Sequence, residues 1–355
     1  MKKLLSLVLA LAMAFTLAAC GSSASTSSSA PSSAGASGGS ASSSSASGKT
    51  YDWRIACVTA EDHPMTKACM DFADKVSTAT DGRVKITVYY AKQLGDDREI
   101  TEQVMNGSLE MAFPSAGPVG NFSPKAYAYQ LPFMVTNWDQ YLSLSQSDEA
   151  AALLDGIGSD LGCKALATWN SGFRHLLSVD KPINSPEVTK GLKFRVAETQ
   201  LHIDIFKALG GSPTVIAYGD IYTSLQNKVI DALEMDIPAI LMEKHYEVAK
   251  YLTLTGHFTW PGICLINQAC WDSLSKEDQA AFEQAAEETL QDNVKYVQQV
   301  EDEDLKELES NGVQVTQMSD EMLSAFKDAE KPVIDKYSAM DPLIANYYNK
   351  AISLQ

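Results

Sequence analysis

The 355-residue chain carries 45 acidic against 28 basic residues, a formal net charge of -17 at pH 7. So acidic a surface argues against nucleic acid as a partner and against broad electrostatic adsorption to an anionic bilayer, and an anionic ligand would need positive charge concentrated in one place. Apolar residues make up 45% of the chain, the composition of an ordinary soluble globular protein with room for roughly two domains.

Residues 1–19 read as a signal peptide. Lys2 and Lys3 precede an uncharged apolar run, 4–18, shorter than the ~20 residues of a spanning helix. The segment closes as "LAACG", with small residues before Cys20 in the manner of a bacterial lipobox, so Cys20 is the expected lipidation site and anchors the protein to the outer face of the cell membrane. Residues 20–49 hold this cysteine and a tether of almost nothing but Ser, Ala and Gly, too polar and too simple to form a core. Within it, "GASGG" matches the G-x-S-x-G hydrolase elbow by letter, but no strand or helix flanks it, and the match carries no chemistry.

From residue 51 the pattern alternates. Strands are expected at 53–58, 84–90 and 111–113, with an amphipathic helix at 63–78, a turn at Asp81-Gly82, and a helix at 98–106 that stops at Gly107. This order favours an α/β lobe with a largely parallel sheet and a ligand at the carboxyl ends of its strands. "GIGSDLG" at 156–162 reads as a loop. A second α/β segment follows, with strands at 165–169, 192–196, 212–216 and 232–235 and helices at 200–209 and 218–227. Two such segments predict two lobes with a cleft between them. The chain returns through a strand at 263–267 and enters a long Glu-, Gln- and Ala-rich helix from 276 to about 311; Ser319-Asp320-Glu321 looks like the cap of the next helix.

No catalytic constellation stands out. The five histidines are scattered, no close Cys/His spacing builds a metal site, there is no phosphate-binding loop, and no cofactor is expected. The cysteines beyond Cys20 form no disulfide framework; only a Cys264 to Cys270 bridge is geometrically conceivable. What remains is a pair of arginines in "WNSGFRHLLSVDKPINSPEVTKGLKFRVAET". Arg195 sits in "GLKFRVAET", where Leu192, Phe194 and Val196 alternate with charged residues. It lies either on the solvent face of an ordinary strand or in a cleft, gripping an anion.

These segments, with "GRVKITVYYAKQLGDDREITEQVMNGSLEMAF", "LPFMV", "SPTVIAYGDIYTSLQNKVIDALE" and "HYEVAKYLTL" in the same order, resemble the DctP-type solute-binding proteins of tripartite ATP-independent periplasmic (TRAP) transporters. The resemblance covers nearly the whole domain. It implies a periplasmic-binding-protein-like α/β fold, with lobe I from 50–171 plus 261–305 and lobe II from 172–260 plus 306–355, acting as a monomer and not as an enzyme. Arg195 would clamp the ligand's carboxylate, and Arg174 would make a second contact or a hinge or core ion pair. Where many relatives carry asparagines this chain has Met235 and Asp236, so a polyhydroxylated ligand loses an expected polar contact; Asp236 would take a hydrogen bond from the ligand or balance an arginine. Glu61, His63 and Ser115 would line the first lobe's side, with His63 alternatively a helix cap, and Trp169 and Asn170 would adjoin the crossover, the tryptophan stacking on the ligand or packing in the core. The implied ligand is a small organic acid, whether a uronate or other sugar acid, a dicarboxylate or a keto acid, and the implied partners are the membrane subunits of a TRAP transporter. Competing classes are a lipoprotein enzyme acting on a carboxylated substrate and a sensor ectodomain for a membrane kinase.

Overall fold

Alternation of buried and exposed positions starts the fold. Tyr51, Trp53 and Ile55 turn inward between Asp52 and Arg54 in the strand β1 (Tyr51–Ala56), and a run of β-branched residues makes β2 (Val84–Tyr89). The computed structural model describes residues 49–355; the signal segment, Cys20 and the tether lie outside the described residues. β1 pairs in parallel with β2 and with the short β3 (Met111–Ala112). The crossover helices take their limits from local chemistry. Helix Pro64–Ala79 starts at His63, whose side chain accepts the Met65 N–H, and buries Met65, Ala68, Cys69, Phe72, Ala73 and Val76 along one face. Helix Asp97–Asn106 opens with an Asp96/Glu99 capping box and ends on Gly107 at φ 79°, where only glycine is unstrained.

The next strands tie two sheets together. β4 (Cys163–Phe173) belongs to the first sheet and runs directly into β5 (His175–Ser178) of the second. The second sheet also holds β6 (Lys193–Val196), β7 (Ser212–Val215), β8 (Ala232–Met235), β9 (Tyr251–Leu254) and β11 (Gln314–Gln317), while β10 (Thr259–Asn267) returns to the first. The orders are β2-β1-β3-β10-β4 and β11-β9-β5-β8-β6-β7, which makes an α/β fold of two lobes. The first sheet is mixed rather than largely parallel, because β10 runs antiparallel to both β3 and β4. The two crossovers hold each other: Arg174 N donates to Phe258 O at 2.8 Å and His257 N to Arg174 O at 3.2 Å. Helix Lys276–Ser310, capped by Ser275, spans 35 residues, about 52 Å at the α-helical rise, and packs on β4 in one lobe and on helix Ile237–Met242 in the other. Its Glu301 accepts the Phe173 N–H at 2.8 Å, fastening the crossover to the helix.

Some expectations change. Residues 156–162 are no loop: Gly156 and Gly158 lie inside helix Asp148–Leu161, and Gly162 is its left-handed cap at φ 64°. Gly158 is needed there because a Cβ would stand 2.6 Å from Cys163 O, so a larger residue would push the helix off β4. The helix expected at 218–227 divides into a 3-10 turn, Tyr218–Asp220, and helix Ile221–Gln226. β4 and β10 are longer than read, and β5, β9 and β11 were not anticipated. Cys264 and Cys270 are free thiols, as are Cys57, Cys69 and Cys163.

Helix Asp320–Ser338 holds a cost of its own. Glu330 is fully buried, and neither carboxyl oxygen has a hydrogen-bond partner. Burial pushes its carboxyl well above the usual range, so the folded protein keeps a proton that the unfolded chain releases above about pH 4.3. Stability contributed by this group is therefore present below the unfolded value and falls as pH rises toward the folded one. Glu330→Met should stabilise the protein at pH 8 by about 2 kcal/mol and raise Tm by several degrees, with the gain shrinking at pH 4.5; thermal melts at both pH values check it, and an equal shift at both would exclude the carboxyl as its source.

Candidate functional site

The cleft between the lobes collects the carboxyl ends of the strands, as expected for α/β sheets. After β1 the chain brings in Thr59 and His63, after β3 Ser115, after β6 Ala197, after β7 Ile216 and Tyr218, and after β8 Asp236; Arg174 and Trp260 line it from the crossovers.

Arg195 does not face bulk solvent. On β6 Phe194 turns to the core, stacked on Phe206 with centroids 4.7 Å apart, so the next side chain must point to the opposite face. That face is the cleft, where Arg195 is 3% exposed. Its Nε donates to Ile216 O at 3.0 Å and Nη1 stands 3.8 Å from Glu234 Oε1. The terminal nitrogens make no hydrogen bond to any described residue, leaving the fork turned toward the cavity. Burial, partly offset by Glu234, brings the guanidinium down to about 10, so it stays charged at neutral pH.

Arg174 is buried too, but engaged. Its Nε donates to Glu234 Oε2, Nη2 to Glu234 O at 2.9 Å and Nη1 to Asp236 Oδ2 at 2.6 Å, and its Cζ lies 4.0 Å from the centroid of the Trp260 ring. The Trp260 indole in turn donates to Ser115 Oγ at 3.2 Å. Asp236 caps helix Ile237–Met242 by accepting the Ala239 N–H at 3.0 Å. Burial alone would raise its carboxyl, but His63 and Arg174 hold it well below the usual range. Both readings of His63 meet in one side chain: Nδ1 accepts the Met65 N–H at 3.3 Å, and Nε2 lies 3.5 Å from Asp236 Oδ1. The cap thus aims the imidazole of one lobe at a carboxylate of the other.

Four sequence-selected residues lie elsewhere. Met235 is wholly buried in the apolar cluster with Leu177, Leu233 and Ile240, because strand alternation turns it away from the face that Glu234 shares with the arginines. Trp169 is core, against Phe72 and Phe113 at 5.1 and 5.0 Å, with its indole donating to Ala286 O. Asn170 is buried in the crossover, its backbone N donating to Asn293 Oδ1 at 2.7 Å and its own Oδ1 accepting from Gly172 N. Glu61 is exposed and accepts from Tyr90 OH at 3.0 Å, because it sits at the outer edge of its loop.

Comparison with known proteins places this architecture. The model of "Bacterial extracellular solute-binding protein, family 7" (DctP) matches residues 55–340. The chain belongs to this family. The sialic acid-binding periplasmic protein SiaP of Vibrio cholerae is 30% identical over 75% of this chain and 82% of its own. A TRAP periplasmic solute-binding protein of Chromohalobacter salexigens, solved with bound D-glucuronate, superposes with a TM-score of 0.80 at 29% identity over 85% of this chain and all of that one. The sugar acid-binding protein DctPAm of Advenella mimigardefordensis, solved with galactonate, gives 0.81 at 27% identity over 86% and 99% of the two chains.

In this family 7 protein three residues in or behind the cleft wall escaped the sequence reading. Glu234 bridges the two arginines. His202, stacked on Phe258 at 5.0 Å, lies 3.9 Å from Glu234 Oε1, and burial together with the arginine charges keeps it neutral. Asp97 lines the cleft and accepts the Ser115 N–H at 2.8 Å; burial pushes its carboxyl up to about 6. Asp97 alone left a signal, as the second acid of "GDDR" at a helix start. Glu234 sits in a strand buried on both faces and His202 in an amphipathic helix, where local pattern marks neither as special. Among the described residues no group of His, Cys, Asp or Glu could hold a metal ion, and no helix is long and apolar enough to cross a membrane.

Proposed function

We propose that this family 7 protein is an extracytoplasmic receptor that captures a small organic acid by closing its two lobes and delivers it to the membrane subunits of a TRAP transporter. One observation carries the reading: Arg195 presents a charged, planar fork to a buried cavity, with no protein carboxylate in hydrogen-bonding contact with its terminal nitrogens. Such a fork matches a carboxylate through two parallel charge-assisted bonds. His63, Ser115 and Asp236 supply polar groups around it, and Arg174 acts through Glu234 and Asp236. The bound glucuronate and galactonate of the relatives support a sugar acid as the ligand. Residues 50–171 with 261–305 form one lobe of this reading and 172–260 with 306–355 the other, hinged near Arg174 and His257. No bond is made or broken, and lipidated Cys20 keeps the receptor near its transporter.

A thermal-shift panel of uronates, aldonates, dicarboxylates and keto acids tests this. An acid at a hundredfold its Kd adds about 2.7 kcal/mol of stability, several degrees in Tm for a domain of this size. Stabilisation by neutral sugars instead of acids, or conversion of an acid to product, would overturn it.

A further inference from the structure

We infer that Asp236 determines specificity by restricting the ligand to a single carboxylate, an inference that rests on the reading of Arg195 as the ligand's clamp. Two buried guanidinium groups line the cleft, and a dicarboxylate would be expected to use both. Only one is available. Arg174 has Nε and Nη2 on Glu234 and Nη1 on Asp236 Oδ2 at 2.6 Å. Asp236 cannot swing away to release it: the residue is 1% exposed, and its other oxygen accepts the Ala239 N–H at 3.0 Å and faces His63 Nε2 at 3.5 Å. The carboxylate is therefore held from both lobes.

The rest of the lining offers a second acid group no substitute. Asp96, Asp97 and Glu198 face the cavity with Lys92 and Arg98. Arg98 is already drawn outward to Glu102 at 3.0 Å and to Glu198 at 3.5 Å, on the exposed rim. Lys92 is only half-buried and shares this wall with three acidic side chains, so a second carboxylate finds no fully buried cation to pair with there, and a poorly paired desolvated charge is disfavoured. Hydroxyl or ammonium groups, by contrast, find acceptors in Asp97 and Asp236. The ligand class is thus a monocarboxylate whose remaining polar groups donate hydrogen bonds.

Isothermal titration of the purified protein with two pairs matched in carbon skeleton, D-glucuronate against D-glucarate and D-galacturonate against galactarate, tests this. Wild type should bind the better monocarboxylate at least about tenfold more tightly than its dicarboxylate. Asp236→Asn keeps an acceptor for the Ala239 N–H, removes the charge and loosens Arg174, and should raise dicarboxylate affinity at least about tenfold relative to the monocarboxylate. A wild-type preference for the dicarboxylate, lost in Arg195→Ala, would overturn the role of Asp236 while leaving the clamp intact, and it needs no Asp236 variant to be read. An unchanged preference in a folded Asp236→Asn would also overturn it. Binding of none of the four, or binding indifferent to Arg195→Ala, would remove the clamp and this inference together.

Discussion

Arg195→Met is expected to lower affinity for the captured acid on the order of 10²–10³-fold, about 3–4 kcal/mol, while the protein without ligand melts at the same temperature or higher. The two halves have one cause. Arg195 is 3% exposed and has one hydrogen bond, to Ile216 O, with Glu234 no nearer than 3.8 Å. Its desolvation is poorly compensated until a carboxylate arrives, as its lowered pKa of about 10 reflects. The unbranched apolar side chain of methionine removes that cost and the clamp with it, the exchange of stability for function common at binding sites. Arg195→Lys retains charge but not the planar fork, and should recover only part of the affinity. Titration with the tightest-binding acid and melting without ligand measure both halves. Wild-type affinity in Arg195→Met would end the role assigned to this residue.

Arg174→Ala has a different expected outcome, loss of the fold before loss of binding. Removing this guanidinium strands Glu234 and Asp236, 0% and 1% exposed, without the cation that pairs with both. Breaking a buried ion pair from one side costs about 3–5 kcal/mol, enough to lower Tm by roughly 6–15 °C in a domain of this size. Adding Glu234→Gln and Asp236→Asn to Arg174→Ala should restore much of the loss, because the stranded charges are the source of the penalty; a merely steric defect would not respond. Urea melts of the three proteins decide it. An Arg174→Ala midpoint indistinguishable from wild type would mean that water or a rearranged neighbour compensates the two acids.

The contrast between the arginines also marks how far the sequence could be read. Both stood out in the linear chain, and charge patterning on β6 raised the right alternatives for Arg195. Burial excluded the solvent face and turned Arg195 to the cleft, through Phe194 claiming the core face. For Met235 the chain order misled, while its neighbour Asp236 does reach the cleft. β8 is buried on both faces, so the two-residue period that normally tells inside from outside is erased, and adjacency to a ligand-facing residue says nothing about direction. Trp169 and Asn170 were displaced for a related reason: β4 is long enough to enter the core of one lobe before it reaches the cleft, and the two residues fall on its near side.

The sequence by itself determined the local events: the alternating strands β1 and β6, the helix stop at Gly107, the cap at Ser319 and the long helix Lys276–Ser310. Each depends on residues within a turn or two of one another, and side-chain chemistry alone sets its geometry. Tertiary structure decided the pairing of Arg174 with Glu234 and Asp236, 60 and 62 positions away, and the meeting of His63 with Asp236 across two lobes. Such contacts exist only once strands distant in sequence share a sheet, because charge and hydrogen bonding between side chains depend on their separation in space, and no local pattern encodes that separation.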